Sequence, residues 1–228
     1  MPLFKAKARQ TTAVERVSEG AETYIRALRD GTISTASFIN AMSIEGRVFH
    51  IDVGTFSSPI TFTAGGLVVT TPDVAGVVPS GVCIMPIELA VQIETEGTVL
   101  IAEICAISGA NGTVSTAGTA VTPVNYRTDA PYSSAMKFTY TAITAVAPTV
   151  QRNEFWRDGV GPGRLTKTPS ATVSVVDSPY KFQWSAVTSG ILPIIMPSGS
   201  LFLYGPSTQA GTGFWKASWI ELPVAAMV

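Results

Sequence analysis

Apolar residues recur along this chain at two different spacings. Over residues 13–29, Val14, Val17, Ala21, Tyr24, Ile25 and Leu28 fall on one helical face, and Thr12 with Glu15 forms a capping-box pattern just ahead of them. One amphipathic helix is predicted there, with Gly31 as its stop signal. Gly20 within it costs about 1 kcal/mol relative to Ala, so the helix relies on docking its apolar stripe. Tyr24, Ile25 and Leu28 are therefore expected to be buried against the rest of the chain or against a neighbouring subunit.

From about residue 44 the vocabulary changes to Val, Ile, Thr, Phe and Tyr, broken at short intervals by Gly, Pro, Ser and Asn, which predicts many short strands. In IELAVQIE, Ile87, Leu89, Val91 and Ile93 alternate with Glu88, Ala90, Gln92 and Glu94, as a strand with one buried face requires. The next run, TVLIAEICAI, is apolar on both faces apart from Glu103, so each side needs a cover. Further strands are predicted at 135–144, 171–176, 180–187, 200–204 and 213–222. Residues 108–123 are rich in small side chains without a period and read as a long loop or weak edge. The charged stretch 152–169 reads as largely surface loop. Proline-rich breaks at intervals of 8–15 residues suit an antiparallel sandwich with Greek-key connections better than a parallel sheet, which needs a helix between strands. The chain divides accordingly into an N-terminal arm at 1–12, the helical segment at 13–30 and one β-sandwich domain at 31–228.

Composition adds a constraint on the surface. Of the 228 residues 46% are hydrophobic and only 14% charged, against about 25% charged in an ordinary globular chain. Much of the surface must be neutral or apolar, covered by Ser, Thr and Gly or by other subunits. No run approaches the roughly 18 apolar residues of a membrane span. The start MPLFKAKARQ is basic but lacks the apolar stretch of an export signal, so Cys83 and Cys105, both inside apolar runs, are expected as buried thiols. Asn111-Gly112-Thr113 then reads as a turn and not a glycosylation acceptor.

Candidate chemistry is thin. His50 is the only histidine, and alternation in RVFHIDV places it with Val48 and Asp52 on one strand face, opposite Phe49, Ile51 and Val53. Nucleophilic devices and zinc sites need more imidazole and thiol than this at closer spacing. GVGPG at 159–163 has neither the lysine of a phosphate loop nor a helix to follow it. No catalytic residue, metal or cofactor is expected, and the chain reads as non-enzymatic. Among the aromatics, Trp215 and Trp219 share a strand face and are candidates for a sandwich core or a subunit interface, whereas sugar stacking by the four tryptophans is the weaker reading.

The basic arm KAKAR, the helix after it, the strand pair VCIMPIELAVQIETEGTVLIAEICAIS and the closing hairpin GSLFLYGPSTQAGTGFWKASWIELP together resemble the single jelly-roll capsid proteins of icosahedral viruses, including those of bacteriophages. The resemblance is architectural and covers about half the chain. It implies an eight-stranded jelly-roll sandwich and assembly with copies of itself, in trimers as the local unit, and with other virion proteins. It also implies location in the virion after assembly in the host cytoplasm, and an arm facing the viral genome. Lys5, Lys7 and Arg9 are the arm's nucleic-acid-binding candidates. With three cations the arm is less basic than most such arms, and its contact with nucleic acid should be weak, with a salt slope of about −2 to −3. A virion fibre, spike or cement protein that binds another virion protein or a host glycan shares the same composition and is the alternative.

Overall fold

The computed structural model describes residues 37–63, 68–95, 102–116, 118–146, 148, 150–160, 180–205 and 211–227. The arm, the predicted helix at 13–29 and the predicted strand at 171–176 lie outside these residues. The described chain is mainly β. In order it forms α1 (Phe38–Glu45), β1 (Val48–Val53), β2 (Ile60–Thr61), β3 (Val74–Val77), β4 (Val82–Thr95), β5 (Ala102–Ala110), β6 (Thr113–Thr116), β7 (Thr119–Val121), β8 (Val124–Asn125), β9 (Lys137–Tyr140), β10 (Thr144–Val146), β11 (Val150–Val160), β12 (Tyr180–Ser185), α2 (Ala186–Ser189), β13 (Gly199–Tyr204) and β14 (Thr212–Pro223).

Two six-stranded antiparallel sheets and a two-stranded ribbon, β6 with β10, are built from these strands. The first runs β12-β4-β14-β1-β8, with β2 also paired to β14, and the second runs β11-β5-β13-β3-β9-β7. Eight of the strands pair in a nested order: β1 pairs with β14, β3 with β13, β4 with β12 and β5 with β11. Two cross-pairings, β14 with β4 and β13 with β5, then complete a run of four of these strands in each sheet.

One core joins the sheets. Phe49, Ile51 and Val53 of β1, Leu89, Val91 and Ile93 of β4, and Trp215, Ala217 and Trp219 of β14 meet Ile104, Ala106, Leu201, Leu203, Val74 and Phe138 of the second sheet. The alternation predicted for β1 and for residues 88–94 therefore points its apolar side inward. Ile87 departs from it. The β4–β14 register shifts between Ser218 and Trp219, which pair with Glu88 and Pro86, so Ile87 is skipped and packs with the outer cluster of Cys83 and Met85. A bulge of this kind reverses the facing of every residue beyond it.

Each sheet also has an apolar patch on its outer side. On the second sheet Ala75, Cys105, Ile107, Phe202 and Tyr204 are covered by Ile143 and Ala145, from the connection and strand of a β6–β10 ribbon. This ribbon supplies the second cover that the doubly apolar β5 required. On the first sheet Val48, Cys83, Met85, Ile220 and Leu222 lie under Met42 of α1. Cys83 and Cys105 are thus buried thiols on different sheets, and Cys83 donates to the Leu222 carbonyl.

Residues 108–123, expected as a long loop or weak edge, and the described part of 152–169, expected as largely surface loop, are mostly strand, with β7 at an edge of the second sheet; residues 161–169 lie outside the described residues. Residues 108–123 contribute the end of β5 and then β6 and β7; small side chains suffice there because the ribbon lies on top of a sheet. Residues 150–160 form β11, an outer strand of the second sheet, whose charges belong to its exposed side. There Arg157 pairs with Glu154 and Glu103, and two register irregularities bend the strand. Charges and bulges on an edge oppose pairing with another chain's strand. The strand predicted at 180–187 ends at Ser185, whose hydroxyl accepts from the Val187 N–H and caps the four-residue α2.

Helix α1 was not expected, yet its boundaries follow local rules. The Ser37 hydroxyl accepts from the Asn40 N–H at 3.3 Å, and Gly46 ends the helix at φ 73° while Arg47 N–H closes on the Met42 carbonyl. A Cβ at Gly46 would stand 2.4 Å from Pro131 Cγ. Gly46→Ala is therefore expected to lower stability by about 2 kcal/mol, from the left-handed backbone and the overlap together. Chemical denaturation checks this, and a change under about 0.5 kcal/mol, the level of a neutral surface substitution, would show that the turn relaxes freely.

Candidate functional site

Trp215 and Trp219, the interface candidates on β14, are both 0% exposed inside a single chain. They are core residues and do not reach a neighbour. The reason is their register: β14 is a central strand with a sheet neighbour on each side, and its inward face lies against the opposite sheet. Trp215 meets Trp156 edge-on at 6.1 Å, and Trp219 lies 4.9 Å from the Phe138 ring and 6.3 Å from that of Phe49. Trp156 and Trp184 are buried as well, so none of the four indoles offers a face for stacking on a sugar. Lys5, Lys7, Arg9, Tyr24, Ile25 and Leu28 lie outside the described residues.

Beyond α1, the outer face of the first sheet turns polar. His50 turns Nε2 toward Asp52 Oδ2 at 3.3 Å and its ring lies 4.4 Å from that of Tyr126. Ser218, directly across from His50 in the β1–β14 pair, shares a 2.9 Å hydrogen bond with the Tyr126 hydroxyl and is buried. Serine, histidine and aspartate thus stand side by side, but the imidazole is aimed at the carboxylate and the hydroxyl at the phenol. Nucleophilic activation needs the imidazole to accept from the hydroxyl, and this arrangement does not present that bond. Lys216 borders the group. Burial lowers its pKa, but a hydrogen bond to Tyr126 and the charges of Asp52 and Glu88 outweigh that and leave it raised.

Two buried carboxylates tie down strand ends. Asp73, just before β3, accepts from the Thr63 N–H at 2.7 Å and the Gly205 N–H at 2.5 Å, joining the chain that leaves β2 to the chain that leaves β13. Burial pushes its pKa up to about 6, against the lowering effect of those two N–H groups. Glu221 on β14 accepts from the Ser134 hydroxyl at 2.6 Å and the Ala135 N–H at 2.8 Å and so anchors the approach to β9. Neither residue stood out in the sequence, because an isolated acid in a loop or strand carries no pattern.

Apolar surface is concentrated instead in a few places. Phe56, in the turn between β1 and β2, is 73% exposed. The connection from β12 to β13 exposes Val187 (75%) and Ile191 (66%), followed by Ile194 and Met196. Ile194 and Met196 also border a cleft of about 250 Å³ floored by Ser108, Gln151 and Asn153. A signal for this connection existed in the run ILPIIMP, which reads in the sequence as another short apolar segment between prolines. Among the described residues no cluster of three or more His, Cys, Asp or Glu side chains is placed to hold a metal ion, and no helix is long and apolar enough to cross a membrane. No protein-family model, curated protein or solved structure matches this chain.

Proposed function

We propose that the sandwich is a jelly roll and that the chain is a capsid subunit, assembling with copies of itself into an icosahedral shell around a viral genome. The nested strand order carries this reading. The eight strands β1, β3, β4, β5, β11, β12, β13 and β14 pair first with last, second with seventh, third with sixth and fourth with fifth, while β2, β6, β7, β8, β9 and β10 lie outside this scheme. A long hairpin folded over on itself has this order, and jelly rolls of two Greek keys are built in this way. Jelly rolls also serve lectins and enzymes, so the fold alone does not choose among functions.

What favours assembly is the surface. Charge is scarce over the whole chain, and large apolar side chains such as Phe56, Val124, Tyr126 and Tyr132 stand exposed. Contacts between chains are where such side chains are sheltered. In this reading the arm lies inside the particle, and Lys5, Lys7 and Arg9 contact the genome weakly, their effect summed over many chains.

The test is the state of the purified protein. Electron microscopy and sedimentation are expected to show closed particles or their trimeric building unit, with more than about 2,000 Å² of each subunit buried across all contacts. A monomer that persists at micromolar concentration through changes of salt and pH would overturn the shell role. Isolated trimers that bind another virion protein or a glycan would favour a fibre or cement role.

A further inference from the structure

Phe56 is an exposed aromatic on a closely bonded turn. The Thr55 N–H donates to the Ser58 carbonyl and the Ser58 N–H to the Thr55 carbonyl, each at 3.0 Å, and the Ser58 N–H also reaches Thr55 Oγ1 at 3.1 Å. The phenyl ring stands at the tip, 73% exposed, and its neighbours Thr55, Ser57, Ser58 and Pro59 carry no charge. A large aromatic held out from such a turn is preorganised as an anchor, because burying it gains its full apolar area and orders little that is not already fixed.

A hollow of matching character lies at the other end of the sandwich. The cleft beside the β12–β13 connection has Pro193, Ile194 and Met196 as walls and Ser108, Gln151 and Asn153 as floor, in a volume of about 250 Å³. An apolar cavity of about 150 Å³ already admits benzene, so this cleft has room for a phenyl ring. Among the described residues no charged side chain lines it, and its amide and hydroxyl groups suit the hydroxyls and peptide groups on either side of Phe56. Its backbone is strained as well. Gln151 stands at φ 49° where the β5–β11 register shifts, and Ser198, in the connection that walls the cleft, at φ 63°. Strain of this kind collects where a surface is shaped to hold another group.

The ring and the cleft do not meet within one chain. Val53, just before Phe56, pairs with Trp215, whereas Ile84, bridged to Ile195, pairs with Glu221, and these two positions lie about 20 Å apart along β14. We infer that Phe56 of one copy enters the cleft between β11 and the β12–β13 connection of a second copy, joining the two head to tail. This contact rests on the proposed self-assembly and names one of its joints. Because it joins two different surfaces, each subunit keeps a free ring and a free cleft, and the contact propagates until the assembly closes. With no ion on either side, burial carries no penalty for desolvating charge.

Sedimentation and cysteine cross-linking of the full-length chain test it. Phe56→Ala and Ile194→Lys are each expected to weaken self-association about thirtyfold, the level of an interface hot spot, while the unfolding midpoint of the dissociated chain stays that of the parent. Ser57→Cys combined with Ile194→Cys keeps the phenyl ring and leaves Cys83 and Cys105 buried. On oxidation this pair is expected to give a ladder of dimer and higher masses, and adding Phe56→Ala should remove the ladder. Cross-links confined to monomer mass would overturn the inference. So would a parent that self-associates without the ladder and is indifferent to both Phe56→Ala and Ile194→Lys, an outcome that leaves the shell role standing with other contacts. A parent that stays monomeric throughout would overturn this joint and the shell role together.

Discussion

Replacing Trp219 by alanine is expected to remove about 3–5 kcal/mol of stability, the cost of deleting a large buried aromatic side chain whose site cannot collapse. The size of the effect follows from where β14 lies. Among the described strands it is the only one paired with both β1 and β4, and Trp219 projects from it into the middle of the core between Phe138 and Phe49. Against a total of about 5–15 kcal/mol for a domain, such a loss brings the chain close to unfolding. Denaturant titration measures it, and Phe56→Ala serves as the contrast, since a side chain 73% exposed should change monomer stability by no more than about 0.5 kcal/mol. Trp219→Phe should fall between the two. It keeps most of the apolar area and deletes an indole N–H that meets no acceptor among the described residues. Were Trp219 an interface residue, the order would reverse, with association weakened and monomer stability hardly altered.

The two readings of that tryptophan show what a sequence can and cannot convey. Alternation placed Trp215 and Trp219 on one face of a strand, and it placed Phe49, Ile51 and Val53 opposite His50, because a period of two is a property of the backbone alone. Whether a face meets the other sheet or another subunit depends on the order of strands, which is set by partners more than a hundred residues apart, such as Val48 with Ile220. Composition misled where burial is one-sided. Glu154, Arg157 and Asp158 made β11 resemble a loop, although Trp156 between them is core. Strands β6 and β7 have only small and medium side chains, and they lie over or beside a sheet already filled. Helix α1 has only eight residues, too few to show a stripe against its background. Buried acids leave still less trace: Asp73 follows a proline in a stretch that looks like any other turn, and its importance comes entirely from two N–H groups distant in the chain or across a loop.

That carboxylate should make stability fall as pH rises from about 4 to 6. Asp73 is 4% exposed, and burial raises its pKa from 3.8 to about 6, so between these values the folded chain holds a proton that the unfolded chain has released. The group's contribution is complete below the unfolded pKa and is lost as pH passes the folded one, a difference of about 3 kcal/mol at about 1.4 kcal/mol per pKa unit. Asp73→Asn isolates the effect from the other titrating groups. Asparagine keeps one acceptor oxygen but turns an amide N–H₂ toward either Thr63 N–H or Gly205 N–H, so at pH 4 the variant should be less stable than the parent by about 1–3 kcal/mol, the cost of an unmatched buried donor. Because it carries no charge to bury, that deficit should shrink or reverse by pH 7. Urea unfolding of both proteins across this range gives the comparison. If the parent instead gains on the variant with rising pH, the two N–H donors outweigh desolvation, and Asp73 is held as an anion whose hydrogen bonds to Thr63 and Gly205 strengthen the clamp between the ends of β2 and β13.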